Sequence, residues 1–141
     1  MHDLERARTL LTEGCYTCVL CRVDVCYTSH SKGISPMLDW IGAGVELRGF
    51  CAADTIVGKA VAMLFVHAGV CAVYGRVMST AGRDYLTAHG VACSYDTLTE
   101  QIVNRTGDGV CPMEQTVAQL EDPQVAYAAL RRKRDEMRRK Q

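Results

Sequence analysis

The residues best suited to chemistry lie in one loop, "NRTGDGVCPMEQTV", which runs from Asn104 to Val117. Gly107 and Gly109 allow positive φ angles and let the backbone approach a ligand closely. Cys111 comes directly before Pro112, a residue type favoured at the first position of a helix, so the thiol is expected at a helix N-cap. There the helix dipole and unpaired N–H groups stabilise a thiolate, and the pKa of a thiol can fall from about 8.5 towards neutrality.

The same loop carries groups that suit an anion. Hydrogen-bond donors for phosphate or carboxylate come from Asn104, Arg105 and Thr106. Glu114 stands at the third helical position, where a capping box has its acidic residue. The loop is not a phosphate-binding Walker loop, because Gly-Lys-Ser/Thr does not follow its glycines. Two interpretations stay open: a ligand site with an activated thiol, or only a well-capped helix start.

A second candidate is the segment "GFCAADTIVGKA", Gly49 to Ala60, at the start of a predicted apolar helix. Asp54 falls in its first turn, where the helix dipole favours a carboxylate and depresses its pKa. Cys51, Thr55 and Lys59 recur every four residues and therefore share a helix face. Lys59 has two accounts. Either its stem is buried and its ammonium pairs with a carboxylate or reaches water, or it faces a bound anion.

The elements that position these segments follow from hydrophobic periodicity, caps and glycines. The predicted helices are His2–Glu13, Ser35 to Gly42 or Gly44, Ala52–Ala68, Thr80–His89, a turn or short helix at Thr97–Val103, Pro112 to about Leu120, and a last helix from Asp122-Pro123. The predicted strands are Tyr16–Cys21 and Val25–Ser29, joined as a hairpin, then Cys71–Met78 and Val91–Tyr95. Helices that alternate with strands predict one α/β domain over residues 1–141, with helices on both faces of a mixed sheet.

Eight cysteines are many for 141 residues. Four of them form the cluster "CYTCVLCRVDVC", which contains Cys15, Cys18, Cys21 and Cys26. The spacing is close to a ferredoxin-type run, but it lacks the three-residue last gap and the following proline. The flanking residues favour strands, on which Cys18 and Cys21 point to opposite faces and cannot share an ion. We interpret the cluster as buried structural thiols and expect neither a metal nor another cofactor.

The net charge is zero but unevenly distributed. The basic tail, Arg131–Gln141, holds seven of the 16 basic and two of the 16 acidic residues, so it is about +5 and the body about −5. A solvated helix end explains the tail better than nucleic-acid binding, because no aromatic platform or reading motif accompanies the charge. The longest apolar run, Ala60–Tyr74, is shorter than a membrane span, and no signal peptide is recognisable. We expect a soluble cytoplasmic protein without a membrane partner.

Five segments together resemble a small, functionally uncharacterised prokaryotic family with a cytidine-deaminase-like fold. They are "YTCVLC", "GFCAADTIVGKA", "ACSYDTL", "NRTGDGVCPMEQTV" and "EDPQVAYAAL". The most specific element is "NRTG-x-G-x-CPME". The resemblance covers nearly the whole chain except the basic tail. It implies a three-layer α/β/α sandwich with a mixed sheet, which agrees with the predicted order of elements.

The resemblance also bears on zinc. Zinc deaminases carry H-x-E at the start of the helix after the hairpin, and P-C-x-x-C at the next helix start. Here the first motif falls on Ala52-Ala53-Asp54, which keeps an acidic residue but has alanine at the metal-ligand position. The next helix start, Met78–Gly82, has no cysteine, and "CPME" reverses the order of the signature. The fold is implied without zinc-dependent deamination, because a zinc site needs at least three protein ligands.

The functional expectation is a metal-free site for a small anionic, nucleotide-like molecule. The predicted central helix supplies Asp54, Lys59 and Cys51, and the C-terminal loop supplies the remaining ligand-binding groups. If the protein is an enzyme, it is a hydrolase or transferase with Cys111 as nucleophile and Asp54 as general base. Lys59 or Arg105 then stabilises the anion, and Cys51 is the alternative nucleophile. The other readings are a non-catalytic ligand-binding or sensing module, and a structural protein that forms homo-oligomers.

Overall fold

The computed structural model describes residues 2–103, 107 and 109–140, and these form six helices and five strands. The helices are α1 (Asp3–Glu13), α2 (Ser35–Gly42), α3 (Lys59–Ala68), α4 (Thr80–Ala88), α5 (Pro112–Val117) and α6 (Pro123–Arg139). The strands are β1 (Cys18–Arg22), β2 (Val25–Ser29), β3 (Cys51–Val57), β4 (Ala72–Ser79) and β5 (Ala92–Thr99).

The five strands make one mixed sheet in the order β2-β1-β3-β4-β5. Strand β1 is antiparallel to both β2 and β3, whereas β3, β4 and β5 run parallel. The predicted hairpin is confirmed, with Arg22 opposite Val25 at the turn. Parallel strands need crossover connections, and α3 and α4 supply them here. The fold is therefore of the α/β class that the sequence predicts.

The central helix predicted over Ala52–Ala68 is wrong in its first half. Strand β3 takes that place, and α3 starts only at Lys59, after Gly58. A strand in the middle of a sheet is buried on both faces and reads as a nearly continuous apolar run, which periodicity cannot tell from a buried helix. The β-branched residues 55–57 favour the strand. Cys51 and Lys59 therefore do not share a helix face.

Two predictions in the C-terminal half are also corrected. The turn or short helix predicted at Thr97–Val103 is wrong, because β5 continues through the segment Thr-Leu-Thr, whose threonines suit a strand. Val103 itself pairs with Val110 in an isolated antiparallel bridge. Helix α5 ends at Val117 instead of near Leu120, so it makes less than two turns.

The last helix begins as the sequence predicts. Asp122 is its N-cap, and the carboxylate accepts hydrogen bonds from the backbone N–H groups of Gln124 at 2.8 Å and Val125 at 3.4 Å. Leu130 is fully buried and attaches the helix to the core. The basic tail continues the same helix over residues 131–139, which explains its charge as that of a largely solvent-exposed helix end.

Buried apolar side chains form two clusters on opposite sides of β1. The larger cluster contains Leu20 and Phe65, and helices α2 to α6 all contribute to it. The smaller one contains Val19 together with Leu11 of α1. Val19 and Leu20 are consecutive in a strand, so their side chains point to opposite faces. The apolar helix α3 has only ten residues, and no helix among the described residues is long and apolar enough to cross a membrane.

Gly82 sets how closely α4 approaches the turn between β3 and α3. A Cβ atom there would lie 3.0 Å from both the carbonyl carbon of Gly58 and the carbonyl oxygen of Val57. Because these are backbone atoms, we expect Gly82→Ala to lower the free energy of unfolding by about 1 to 3 kcal/mol, measured by urea denaturation. The exposed neighbouring change Ala81→Gly should cost about 1 kcal/mol or less. Equal losses for the two variants would contradict the steric explanation.

Candidate functional site

Asp54 lies inside strand β3 and not in the first turn of a helix. Its partner in β1 is Cys18, and its partner in β4 is Gly75. Only 4% of Asp54 is exposed. The backbone N–H of Ile56 donates a hydrogen bond to its Oδ1 atom at 3.4 Å, a long distance for such a bond. The carboxyl group is thus removed from water with weak compensation.

Burial raises the pKa of Asp54 from its ordinary value of 3.8 to about 7. Hydrogen bonds from the backbone of Ile56 and Thr55 and from the thiol of Cys18 favour the ionised form, but desolvation outweighs them. The predicted depression of this pKa is therefore wrong in sign, because no helix begins at Asp54. A carboxyl group that titrates near neutrality can donate or accept a proton in acid–base chemistry.

Cys18 is a neighbour of Asp54 that sequence reasoning did not assign to the site. Its side chain is 1% exposed, and burial raises the pKa of the thiol well above its ordinary value, with a further contribution from the charge of Asp54. The thiol therefore stays protonated and donates to the carboxyl group. The sequence predicts a buried thiol at Cys18, but only the register of β1 against β3 reveals the acid opposite it.

Glu114 caps a helix other than its own. Its Oε1 atom accepts the backbone N–H of Lys59 at 2.8 Å, and Oε2 accepts that of Ala60 at 2.9 Å. These are two of the N–H groups that a helix start leaves unpaired. The capping box predicted within α5 is thus replaced by a contact with α3. Gly58 makes room for it, since a Cβ atom there would lie 2.6 Å from the carboxyl carbon of Glu114.

Lys59 adds a positive charge beside this carboxylate. Burial raises the pKa of Glu114, an effect larger than the opposing ones of the two N–H groups and of the Lys59 charge. The Nζ atom of Lys59 donates to the carbonyl oxygen of Ala118 at 3.3 Å and lies 3.3 Å from Oε2 of Glu121. The Lys59 side chain is 15% exposed, whereas that of Glu121 is 81% exposed. The structure thus shows a largely buried Lys59 side chain with a paired ammonium, and an anion bound by Lys59 stays a prediction.

Cys111 is the N-cap of α5, as the sequence predicts. Its N–H donates to the carbonyl oxygen of Ile102 at 3.0 Å, and its carbonyl oxygen accepts the N–H of Gln115 at 3.0 Å. The residue is half-buried. Because α5 has only six residues, its dipole is smaller than that of the longer helix predicted here. The activation of this thiol stays a prediction.

The rest of the C-terminal loop is described only in part. Gly107 has a φ of 76°, a conformation that its residue type favours. Gly109 lies in a bend. Asn104, Arg105 and Thr106 lie outside the described residues, so their role as ligand donors stays a prediction.

Cys51 lies at the opposite end of β3 from the start of α3. The strand has seven residues, which separates its ends by about 20 Å. The Cys51 Sγ atom is 3.7 Å from that of Cys71. Burial, followed by the neighbouring Cys71 thiol, raises the pKa of Cys51 to about 12. The expectation that Cys51 shares a site with Lys59 is therefore corrected, since the predicted helix that joined them does not exist.

The helix starts that would correspond to the zinc motifs differ from those predicted. Ala52-Ala53-Asp54 lies in β3, so its correspondence with H-x-E is wrong, and α3 starts at Gly58-Lys59-Ala60. Helix α4 starts after Ser79, within the predicted segment Met78–Gly82. Neither start carries a histidine or cysteine. Within residues 2–103, 107 and 109–140, no three His, Cys, Asp or Glu side chains are grouped to hold a metal ion.

An open cleft of about 740 Å³ lies elsewhere, between α1 and strands β4 and β5. In it, the hydroxyl of Tyr74 donates to Oδ2 of Asp96 at 2.6 Å, and the guanidinium of Arg8 lies 4.3 Å from the centre of the Tyr74 ring. The Tyr74 hydroxyl and the Asp96 carboxylate thus pair with each other, and the guanidinium stacks on the ring. We therefore place the candidate site at the start of α3, where the carboxylate of Glu114 accepts the N–H groups of Lys59 and Ala60.

Comparison with known proteins identifies related domains. The model of the family described as "TM1506: Domain of unknown function (DUF1893)" matches residues 6–134. The crystal structure of a DUF1893 family protein, TM1506, from Thermotoga maritima is similar with a TM-score of 0.85 and 21% sequence identity. The match covers 94% of this chain and 91% of the other, and at this identity it shows the fold alone. None of the curated proteins matches.

Proposed function

This chain belongs to the DUF1893 (TM1506) family of domains of unknown function, and from its own site we propose that it binds a small anionic, nucleotide-like molecule at the start of α3 without zinc. The observation that carries the proposal is the carboxylate of Glu114 on the N–H groups of Lys59 and Ala60. A helix start with unpaired N–H groups and a dipole is an anion-binding position. Here an internal carboxylate from another element fills it.

A ligand anion would take the position that Glu114 holds. Helix α5, which carries Glu114, is a six-residue element that follows the C-terminal loop. Movement of this short segment would free two N–H groups and bring Lys59 and the loop donors to the ligand. Binding would thus exchange one carboxylate for another anion while the backbone of α3 stays in place.

A more specific proposal for the fold also favours the start of α3 as the ligand site. We propose a three-layer α/β/α sandwich of the cytidine-deaminase type, because α1 and the other helices contribute to clusters on opposite sides of β1. In such a fold the zinc motifs belong to two helix starts. The starts of α3 and α4 approach each other at Gly58 and Gly82, and their residues include no zinc ligand. The internal carboxylate of Glu114 then stands where a deaminase would have its metal site.

Catalysis through a cysteine is the second candidate, and the pKa of about 7 at Asp54 favours it. In this version Asp54 is the general base, Cys111 the nucleophile and Lys59 the anion stabiliser. The contacts of Asp54 are with Cys18 and Ile56, which favours ligand binding or sensing without chemistry. A structural, oligomer-forming role is the remaining alternative.

The test is a comparison of Glu114→Ala with the wild type in titrations of cytidine monophosphate, adenosine monophosphate, ribose 5-phosphate and inorganic phosphate. We expect at least one phosphate compound to bind the variant about tenfold more tightly, because removing an internal competitor worth about 1.4 kcal/mol changes Kd by that factor. Isothermal titration calorimetry gives the affinities. The thermal shift of each complex gives an independent reading.

Glu121→Ala is the matched control, because it also removes a carboxylate near Lys59 but none from the N–H groups of α3. It should leave the affinity for phosphate compounds unchanged within about twofold, as expected for an exposed ion pair. If Glu114→Ala unfolds, Glu114→Gln serves in its place. A panel without binding to any of these variants would mean that Glu114 is only a helix cap.

A further inference from the structure

The β1–β2 hairpin carries two cysteines whose sulfur atoms are in contact. Cys21 and Cys26 are directly opposite each other in the ladder, and their Sγ atoms are 2.7 Å apart. Cys21 is fully buried, whereas Cys26 is exposed. The interpretation of the cysteine cluster as buried structural thiols is therefore wrong for Cys26 and also for Cys15, since both are exposed.

The backbone of the hairpin permits a disulfide between these residues. Opposite residues in antiparallel strands have Cα atoms about 4.5 or 5.5 Å apart. Disulfides join Cα atoms about 4.4 to 6.8 Å apart. Both states, dithiol and disulfide, therefore fit the same pairing of Cys21 with Cys26, and neither strand has to move for the bond to form.

A guanidinium group lies beside the two sulfurs. The Nε and Nη2 atoms of Arg6 in α1 are shielded from solvent and form no hydrogen bond with the residues that the structure describes. The carboxylate of Asp3 is 3.7 Å from Nη2, too far for a hydrogen bond. The Cys21 sulfur lies close enough, without a well-formed hydrogen bond, to be the main cause of a raised pKa of Arg6, and the charge of Cys26 contributes. A cation in this position stabilises a thiolate.

A cleft of about 500 Å³ opens beside Arg6. His2, Asp3, Arg6 and Val23 line it. Val23 lies in the hairpin turn, and its N–H donates to Oδ1 of Asp3 at 3.0 Å, so α1 holds the turn next to the cysteine pair. A small molecule with a carboxylate can therefore approach Arg6 beside the turn that joins the strands of Cys21 and Cys26.

We propose that Cys21 and Cys26 are a redox-active dithiol that exchanges with small disulfides carrying carboxylate groups, and that Arg6 is the positioning residue for this exchange. The cysteine pair and the phosphate site proposed above lie at opposite ends of β3, about 20 Å apart along the strand, because Cys21 is opposite Cys51. The two proposals therefore stand or fall separately.

The exchange follows two displacement steps. The exposed Cys26 thiolate attacks one sulfur of the small disulfide, so a mixed disulfide forms and one small thiolate leaves. Cys21 then gives up its proton, which the first small thiolate takes up, and attacks the Cys26 sulfur, and the second small thiolate leaves. Two electrons pass from the two cysteines to the small disulfide, which ends as two thiols once it has taken up both cysteine protons.

The order of the two thiols follows from their surroundings. Burial raises the pKa of Cys21 to about 11, and the adjacent Cys26 sulfur raises it further while Arg6 lowers it. In the mixed disulfide Cys26 carries no charge and no longer raises the pKa of Cys21. Cys21 therefore loses its proton more easily in the second step than in the free dithiol. Cys26 is thus the attacking thiol and Cys21 the resolving one.

Cys51 and Cys71 form an internal comparison on the same sheet. Their Sγ atoms are 3.7 Å apart, but the Cys71 thiol donates to the carbonyl oxygens of Gly49 at 3.3 Å and Phe50 at 3.5 Å. In addition, burial raises the pKa of its partner Cys51 to about 12. We expect this pair to react more slowly than the hairpin pair.

The experiment exposes the reduced full chain to glutathione disulfide, quenches samples over time by alkylation, and analyses tryptic peptides by mass spectrometry. Trypsin cuts after Arg22, so Cys21 and Cys26 fall in different peptides and their disulfide appears as a linked pair. Fragment ions distinguish Cys21 from Cys15 and Cys18, which share its peptide. Circular dichroism checks that every variant is folded.

We expect the Cys21–Cys26 link to form while Cys51 and Cys71 are still reduced, and Cys21→Ser to leave glutathione attached to Cys26. Arg6→Gln should slow closure of the link about tenfold and move its pH profile up by about one unit, because it removes a charge that lowers the pKa of the resolving Cys21 thiol. Arg8→Gln lies two residues further along α1 and should change neither the rate nor the pH profile.

Two results would overturn the proposal. One is a hairpin pair that links no faster than Cys51 with Cys71. The other is an Arg6→Gln protein that is folded and reacts with the rate and pH profile of the wild type. If Arg6→Gln does not fold, Arg6→Lys retains the charge and is expected to react at nearly the wild-type rate, while a large loss of rate in that folded variant would count against a role of the charge.

Discussion

At about pH 8, the Asp54→Asn protein is expected to unfold at a temperature higher than that of the wild type by on the order of 10 °C. Asp54 is 4% exposed, and its pKa is raised from 3.8 to about 7 by burial. Ionising it in the folded state therefore costs about 4 kcal/mol relative to the unfolded chain. Asparagine has nearly the same shape and no charge, so it removes this cost. Thermal denaturation followed by circular dichroism measures the difference.

The sign of the pH dependence follows from the raised pKa of Asp54. Below about pH 4 the carboxyl group is protonated in both states, and its contribution to stability is fully present. Between that pH and the folded pKa of about 7, the unfolded chain ionises first, so stability falls as pH rises. Above the folded pKa both states are ionised, so the loss of stability no longer changes with pH. The gap between Asp54→Asn and the wild type should therefore open between about pH 4 and 7.

The difference between the two proteins is the proper readout, because the pKa of Glu114 is also raised by burial and contributes a slope of the same sign to both. Asp24→Asn changes an exposed aspartate in the hairpin turn and should show no such gap. A gap between Asp54→Asn and the wild type that is independent of pH would contradict the raised pKa. A stabilised variant that no longer binds the phosphate compounds would indicate that the acid is kept for function.

Gly58→Ala is expected to lower the free energy of unfolding by about 2 to 4 kcal/mol, although its backbone is in an ordinary extended conformation. A Cβ atom at this position would lie 2.6 to 2.7 Å from the carboxyl atoms of Glu114. The carboxylate would have to leave the N–H groups of Lys59 and Ala60, and both hydrogen bonds to a charged group would be lost. Urea denaturation measures the change.

A double-mutant cycle separates this effect from a simple loss of glycine. In a Glu114→Ala background the new methyl group meets no carboxylate, so Gly58→Ala should be nearly neutral there, with a coupling energy of about 2 kcal/mol or more. Gly42→Ala is the matched control, because its Cβ atom would have an ordinary contact of 3.7 Å with the hydroxyl of Tyr127. Additive losses in the cycle would show that the cost of Gly58→Ala does not come from the loss of room for Glu114.

Local signals were sufficient for much of the fold. The β1–β2 hairpin, the helix that follows Ser79 and the Asp122 cap of α6 all depend on a few neighbouring residues, so the sequence predicts them. The recognition of an uncharacterised domain family also follows from the sequence, because its motifs are spread over nearly the whole chain. These features require no knowledge of what a segment packs against.

The missed features all depend on tertiary contacts. Strand β3 is indistinguishable from a buried helix because β1 and β4 pair with both of its edges and apolar clusters cover both of its faces. The pKa of Asp54 is set by burial, which no local pattern records. Glu114 stands three residues into its own helix and satisfies the local capping rule, but its partner is 55 residues earlier in the chain. The sequence therefore singles out Glu114 and Lys59 but does not predict the contact between their elements.

The cap that Glu114 provides has a consequence for synthesis. The N-cap of α3 is Gly58, which has no side chain, so the first turn of α3 has no cap of its own. At about 5 to 20 residues per second, Glu114 is added to the nascent chain about 3 to 11 s after Lys59. During that interval the apolar helix α3 lacks both its cap and the cover of α5 and α6. Although α3 is synthesised in the middle of the chain, it is therefore among the last elements to become stable.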